Sequence, residues 1–356
     1  MTDNNTPYSQ LKIFHHPETL EHLQKGERCT PIYIRIKPTN KCDQDCYYCV
    51  YKHAFGDLED YCPTDEIPYE KMMEIVEDII DMGVKAVTFS GGGEPLLYPY
   101  IVEVMEKLLA GGVDLSMITN ASMLYGKRAE ILAKAKWVRI SVESIQDSEY
   151  CRLRGIKEGA FERLCDNIKQ FAAIKEDTCQ LGVNMVVGKE NYKEVRKMAE
   201  LMKKLGVNHV KYAPLLSNAT EKYHHEFKDK VSEELVRAQE ELADDKFQII
   251  DLYTKAFSNS VIFKRKYIRC PIKEFVCVIA ANSKVYYCHD KAYLKNGVVG
   301  DLTHQSFKEC WYSEMVTKQF KDFNAMRDCN QHCVYDGRNE IINAFLDIDK
   351  NHLNFV

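Results

Sequence analysis

The sequence predicts an α/β fold with a mostly parallel sheet, followed by a smaller cysteine-rich region of strands and turns. Between residues 31 and 216, short β-branched runs alternate with longer amphipathic runs. From about residue 261 the pattern changes to short strands and turns that hold six cysteines. Because 356 residues are too many for one simple core, we expect a large barrel with an appendage, or two domains.

The first part of the chain contains six strand candidates, separated by helical patterns such as Tyr69–Met82 and Tyr192–Leu205. Strands that alternate with helices require right-handed crossovers and therefore a mostly parallel sheet. Ligands of such sheets bind in the loops at the carboxyl ends of the strands. The strand candidates are Ile32–Lys37, Lys85–Ser90, Asp114–Thr119, Trp137–Val142, Gln180–Val187 and His209–Leu215.

These patterns divide the chain into four segments. We expect an N-terminal segment (1–30), the α/β part (31–216), a helical connector (217–260) and the cysteine-rich part with a C-terminal helix (261–356). The connector is distinguished by a polar, charged stretch, Ser217–Lys246.

Composition excludes several classes of protein. With 45% hydrophobic and 28% charged residues, the chain has the composition of a soluble globular protein. A net charge of -5 argues against a general nucleic-acid binder. The polar start lacks the apolar core of a signal peptide, and apolar runs such as Phe275–Ala281 fall short of the roughly 20 residues that span a bilayer. We therefore expect a cytoplasmic protein without membrane or nucleic-acid partners.

Fourteen cysteines are unusual for such a chain, because a reducing compartment does not favour disulfides. Five scattered cysteines are typical of small buried apolar residues, whereas clustered cysteines usually bind metal. Three of them, Cys42, Cys46 and Cys49, lie on one tight loop just after the first strand. A structural zinc site requires four protein ligands, but three thiolates match a [4Fe–4S] cluster with one open iron. A ligand other than protein can bind at that iron.

The CxxxCxxC loop after the first strand of a six-fold β/α chain resembles the radical S-adenosylmethionine (SAM) enzymes. The resemblance implies a partial (β/α)6 barrel in which Cys42, Cys46 and Cys49 hold the SAM-binding [4Fe–4S] cluster, with Tyr48 near the adenine. Reductive cleavage of SAM would then give methionine and a 5′-deoxyadenosyl radical. The electron would come from a flavodoxin or a ferredoxin-type donor.

Further motifs follow later strands in the order that this family shows. Gly91-Gly92-Gly93-Glu94-Pro95 resembles the GGEP motif, so Glu94 is expected to accept a hydrogen bond from the SAM ammonium. Ser141-Val142-Glu143 resembles the SxD/SxE ribose and carboxylate contacts, with Glu143 where Asp is commoner.

A second group of SAM contacts is expected on later elements. Arg154 occupies an LRG-like place suited to a carboxylate, the alternative being a surface arginine on a helix. Asn120, after the third strand, and Asn184, in the fifth, are weaker candidates of the same kind.

The late cysteines accompany Gly300-Asp301-Leu302 and Trp311, which resemble the GNL…W signature of SPASM and twitch domains. Six thiols do not fill two cluster sites, so the resemblance implies one auxiliary [4Fe–4S] cluster. Cys277 and Cys310 are expected in the core. Three alternatives remain open: Cys277 replacing Cys270, His332 replacing a thiolate, and a structural zinc at the same four cysteines. The four expected ligands are Cys270, Cys288, Cys329 and Cys333.

A fully ligated auxiliary cluster cannot bind SAM, so it would relay electrons or brace the fold. The main expectation is hydrogen abstraction from a sugar, cyclitol or nucleotide-linked small molecule, leading to oxidation or another carbon-centred step. Only about 40 residues precede Cys42, which favours a small molecule over a leader-guided peptide. The basic run Lys264-Arg265-Lys266 could contact a phosphate.

The alternatives to this small-molecule function are a peptide or protein maturase and a non-catalytic scaffold or electron carrier. No acid or base acting on the substrate is predicted.

Overall fold

The computed structural model describes residues 9–54, 58–216, 220–258, 264–330 and 333–355. Within these residues ten strands form one sheet, in the order β10-β9-β8-β1-β2-β3-β4-β5-β6-β7. Strands β8 and β1 to β7 pair in parallel, and β9 and β10 add an antiparallel edge. The strands are β1 (Tyr33–Ile36), β2 (Ala86–Phe89), β3 (Asp114–Thr119), β4 (Trp137–Ser141), β5 (Gln180–Val187), β6 (His209–Pro214), β7 (Gln248–Asp251), β8 (Val276–Ile279), β9 (Lys284–Tyr286) and β10 (Val298–Asp301).

Helices connect the strands and cover one face of the sheet. The α-helices of the described residues are α1 (Pro17–Lys25), α2 (Tyr69–Asp81), α3 (Ile101–Ala110), α4 (Gly126–Leu132), α5 (Asp147–Arg154), α6 (Ala160–Ile174), α7 (Val195–Lys204), α8 (Thr220–His224), α9 (Lys228–Leu242), α10 (Tyr253–Ser258), α11 (Phe307–Trp311), α12 (Glu314–Asp322), α13 (Ala325–Asp328) and α14 (Asp336–Leu346). A π-helical turn spans Val50–Ala54, and short 3-10 turns span Gln10–His15, Pro95–Leu97, Tyr192–Glu194, Pro271–Glu274, His289–Lys291, Lys295–Gly297 and Lys350–His352.

The two faces of the sheet differ in burial. In β1, Ile34 and Ile36 are fully buried in the core under the helices, whereas Tyr33 and Arg35 are only half-buried on the opposite face. The same alternation occurs in β4 and in most of β6, because successive side chains of a strand point to opposite faces. The helix-covered face forms the main core, and the inner face keeps contact with solvent.

The predicted parallel α/β architecture is confirmed, with all six predicted strands present within about two residues of their expected ends. The predicted connector contains a strand, β7, that the sequence did not indicate, since Gln248-Ile-Ile-Asp251 is too short to show alternation. Strand β8 pairs directly with β1, so the cysteine-rich region extends the same sheet. The division into domains stays a prediction.

None of the described helices combines the length and the hydropathy that crossing a bilayer requires.

Candidate functional site

The three-cysteine loop follows β1 at the carboxyl end of the sheet. Cys42, Cys46 and Cys49 are all half-buried there, and the Cys49 amide donates to the Cys46 carbonyl at 2.9 Å. Burial raises the pKa of the Cys42 thiol to about 12, and burial also raises the pKa of Cys46, with Cys49 close enough to contribute. Without a cation these neighbouring thiols are therefore neutral, and their thiolate forms need a cationic partner such as a metal cluster.

The glycine turn after β2 packs directly against the start of this loop. Amides of the turn pair with loop carbonyls: Gly93 donates to Thr39 at 3.0 Å, and Glu94 donates to Lys41 at 2.9 Å. A Cβ at Gly92 would overlap the Asn40 side chain, and one at Gly93 would overlap the Lys41 backbone. These glycines are thus required for the close approach of two backbone segments.

The Glu94 carboxylate joins the ends of β2 and β3. It is 3% exposed and accepts hydrogen bonds from the Leu96 amide (3.0 Å), the Thr119 hydroxyl (2.7 Å) and the Asn120 amide (2.7 Å). Burial raises the pKa of Glu94 to about 7 despite these donors. The expected contact with a SAM ammonium would therefore be a fourth interaction of a group already held by its own chain. Pro95, which follows, begins a 3-10 turn.

The predicted pair Glu143 and Arg154 contact each other. The Arg154 guanidinium is 2% exposed and forms a buried ion pair with the Glu143 carboxylate. It also donates to Gln44 Oε1 at 2.5 Å, inside the cysteine loop, and to the Ser141 carbonyl at 2.7 Å. The surface-arginine alternative is wrong, because this side chain is enclosed and links β4 to the cysteine loop. Contacts of either residue with SAM stay predictions.

The other expected SAM contacts lie around the same sheet edge. Ser141 and Asn184 are register partners on β4 and β5. Asn120 donates through its side-chain amide to Asp43 in the cysteine loop at 2.8 Å. Tyr48 and Glu143 line a small cavity whose other walls include Val186, Gly188, Asn191 and Leu215. The Tyr48 hydroxyl is buried without a hydrogen-bond partner among the described residues, which leaves a donor for a bound ligand.

The four late cysteines expected to bind a cluster line one cavity: Cys270, Cys288, Cys329 and Cys333. Cys277 and Cys310 lie in the main core, each 1% exposed, as predicted. Cys277 therefore does not replace Cys270 at this cavity. His332 lies outside the described residues. Among the described residues, no three His, Cys, Asp or Glu side chains are grouped as a single metal ion requires. The zinc alternative stays open.

Basic side chains surround this thiol cavity. Arg265, Lys273 and Lys291 line it, and Arg265 forms a 2.6 Å ion pair with Asp336. These cations would offset the negative charge of a cluster with four thiolates. In the basic run at 264–266, the Arg265 side chain is 1% exposed and faces this cavity, and the phosphate contact stays a prediction.

Sequence reasoning missed the residues that anchor the cysteine loop and those on the inner face of the sheet. Asp43 and Gln44 lie between the first two cysteines, but only folding reveals their partners. Arg35, Arg139 and Lys211 occupy alternate positions of predicted strands. The signal that could have found them is a basic residue at a strand position that alternates with apolar residues.

Comparison with known families matches both parts of the chain. Residues 36–202 match the model of the Radical SAM superfamily, and residues 270–334 match that of the SPASM iron-sulfur cluster-binding domain. The chain therefore contains a radical SAM domain followed by a SPASM-type domain. A radical SAM domain binds a [4Fe–4S] cluster, which in turn binds SAM. A SPASM domain binds auxiliary iron–sulfur clusters.

The similar proteins are named for different activities and bound molecules. A GTP 3′,8-cyclase of Thermodesulfovibrio yellowstonii is 31% identical over 57% of this chain, and the match spans 63% of that enzyme, less than two thirds of its length. An AdoMet-dependent heme synthase of Methanosarcina barkeri is 23% identical over 86% of this chain and 89% of its own. Streptococcus suis SuiB bound to the precursor peptide SuiA has a similar fold, with a TM-score of 0.64 and 18% identity over 96% of this chain and 78% of that one.

Proposed function

We propose that this chain is a radical SAM enzyme that abstracts hydrogen from a small molecule, a sugar, a cyclitol or a nucleotide-linked compound. The observation that carries the proposal is the packing of the three-cysteine loop against the glycine turn and the β4 end. This packing holds the three thiols at the carboxyl edge of the sheet, beside the half-buried inner face.

Cys42, Cys46 and Cys49 would hold the first cluster. The donor set fits, because three thiols leave one iron open, and the unpartnered Tyr48 hydroxyl lies at an adjoining cavity. When bound, the cluster and SAM supply a 5′-deoxyadenosyl radical that abstracts hydrogen from the substrate.

The chain's own residues shape this site without entering the chemistry. Arg154 and Glu143 orient the cysteine loop through Gln44, and Glu94 joins β2 to β3. Tyr48 closes the side of the cavity where the adenine is expected. Ser141 and Asn184 face the same edge.

Cys270, Cys288, Cys329 and Cys333 would hold one auxiliary cluster. Four thiols and three cations line a single cavity, which fits a fully protein-ligated group of net negative charge. When bound, that group supplies an electron-transfer centre suited to an oxidation. Asp290 lines this cavity, and its charge also reaches Lys37 at the end of β1.

The test is 5′-deoxyadenosine formation by anaerobically reconstituted protein with a flavodoxin or a chemical reductant. Cys42→Ala, Cys46→Ala and Cys49→Ala should each abolish SAM cleavage while the auxiliary iron remains. Cys62→Ala is the matched control, because Cys62 is an exposed cysteine outside both sets and should change neither quantity. Cleavage retained in any of the three loop variants contradicts the site.

The substrate class is tested by adding pooled small molecules to the same reaction. Stimulation by nucleotide sugars or cyclitols, with deuterium transferred into 5′-deoxyadenosine, supports the proposal. Stimulation by short peptides alone would move the enzyme to the maturase class. Iron binding without any SAM cleavage would indicate an electron carrier instead.

A further inference from the structure

Cationic side chains are concentrated on the inner face of the sheet. Arg35 lies on β1, Arg139 on β4 and Lys211 on β6, each at a half-buried position that alternates with fully buried core residues. Lys37, at the end of β1, adds a fourth cation, whose ammonium donates to the Gly91 carbonyl at 2.6 Å and to the Tyr51 hydroxyl at 2.5 Å.

These cations approach one another although their strands are far apart along the sheet. Strands β1 and β6 are five positions apart, about 24 Å in a flat sheet. Nevertheless, burial lowers the pKa of Lys211 far below its usual value, and Arg139 and Arg35 are both near enough to lower it further. The sheet is therefore curled, and its concave face brings the three cations around one space.

The register of the strands gives a second indication of the same geometry. Arg139 on β4 is paired with Gly182 on β5, and Lys211 on β6 is paired with Asn184 on β5. The two cations therefore leave the same face of the sheet on either side of β5, two residues apart in register.

Within the described residues, neither Arg35 nor Arg139 forms an ion pair with a carboxylate. Within the described part of the chain, the guanidinium hydrogen bonds of Arg35 go to the Tyr33 hydroxyl, at 3.4 Å. Arg139 lies over the Trp137 ring at 5.8 Å, and its Nε is buried without a hydrogen-bond partner among the described residues. Asp290, whose charge reaches Lys37, accepts a hydrogen bond from the Val334 amide at 3.0 Å. Several like charges held together in this way require an anion.

We propose that Arg35, Arg139 and Lys211 bind an anionic group of the substrate, a phosphoryl or carboxylate group, on the concave face of the sheet. This inference rests on the proposed function and narrows its substrate class to charged small molecules. Planar guanidiniums suit both groups, because each can bind two oxygens at once.

The position of the cations also orients the substrate. Arg35, Arg139 and Lys211 lie one, two and three residues before the carboxyl ends of their strands, and the cysteine loop follows β1 at that same end. An anion held by these side chains lies inside the curled sheet. The rest of the molecule then extends toward the cysteine loop, where hydrogen abstraction is expected.

The experiment measures binding of pyrophosphate and of tricarballylate to the full-length, iron-reconstituted protein by calorimetry and by tryptophan fluorescence. Trp137 lies beside Arg139, whereas Trp311, the second of two tryptophans, is fully buried in the core. A fluorescence change on binding should therefore disappear in Trp137→Phe. Pyrophosphate binding alone indicates a phosphoryl substrate, and tricarballylate binding alone indicates a carboxylate.

Arg139→Gln and Lys211→Gln should each weaken binding about ten- to hundredfold, the effect of losing one charge-assisted contact. Lys169→Gln, which removes the same charge from the exposed surface of α6, should leave binding unchanged. Equal affinity in all variants, or binding of neither probe at millimolar concentration, overturns the inference. Iron content and substrate-free SAM cleavage are measured in parallel on the wild-type protein and on Lys169→Gln. Absence of SAM cleavage there counts against the proposed function, whereas intact cleavage without anion binding counts against the anion site alone.

Discussion

Replacing Arg154 with Met is expected to lower the free energy of unfolding by about 3–5 kcal/mol, because it leaves a carboxylate buried without its partner. The side chains of Arg154 and Glu143 are 2% and 3% exposed, so water cannot replace the lost contact. The substitution also removes the 2.5 Å bond to Gln44 and the 2.7 Å bond to the Ser141 carbonyl. Since total stability is typically about 5–15 kcal/mol, the loss is a large fraction of it.

A double-mutant cycle separates the ion pair from general packing. Glu143→Gln removes the charge that Arg154→Met leaves behind, so the double variant should lose less stability than the sum of the two single variants. A coupling of about 2–3 kcal/mol is expected for groups in direct contact. The double variant also keeps the test informative where Arg154→Met alone fails to fold.

The assay is urea unfolding of the metal-free protein followed by circular dichroism, with iron uptake by the folded variants measured separately. Arg152→Met is the matched control, since Arg152 lies on the same helix and pairs with Glu149 in a largely exposed position. An exposed pair contributes about 0–1 kcal/mol. A loss in Arg154→Met no larger than in this control, or strictly additive effects in the cycle, would refute the bracing role.

Three further predictions concern the clusters and the inner face. Cys288→Ala should lose the auxiliary cluster, whereas Cys310→Ala, a core cysteine away from the cavity, should keep the full iron content; equal iron in both would contradict the ligand assignment. Gly92→Ala should reduce iron binding at the first site, because the added Cβ overlaps the Asn40 side chain and displaces the cysteine loop; wild-type iron content and SAM cleavage would count against this packing argument. Burial lowers the pKa of His209 to about 4, so unfolding takes up a proton between pH 6.5 and 4 and stability falls as the pH decreases through that range. His209→Gln should therefore remove about 3 kcal/mol from the difference in the free energy of unfolding between pH 6.5 and pH 4. Urea unfolding at the two pH values measures this difference, and the same pH dependence in the variant and the wild type would disprove the prediction.

Local sequence was sufficient to predict the strands and the sheet type. β-branched runs at regular intervals predicted β1 to β6, since strand formation depends on side chains a few residues apart. The spacing of Cys42, Cys46 and Cys49 likewise predicted a cluster loop, because its thiols are close in the chain itself. Cys277 and Cys310 were predicted correctly as core residues from their apolar surroundings.

Contacts between distant segments could not be predicted in the same way. The sequence indicated Glu143 and Arg154 as separate SAM contacts, but the fold pairs them and gives Arg154 a link to the cysteine loop 110 residues away. Strand β7 was missed because its four residues carry too short a pattern, and only pairing with β6 makes it a strand.

The chemistry of this protein could thus be predicted from its local motifs, whereas the charge of its proposed substrate-binding space depends on the tertiary structure. Arg35, Arg139 and Lys211 are isolated charges in the sequence, each unremarkable on its own strand. Curling of the sheet brings them together across five strand positions. Charge density depends on distances in space, which only the folded chain determines.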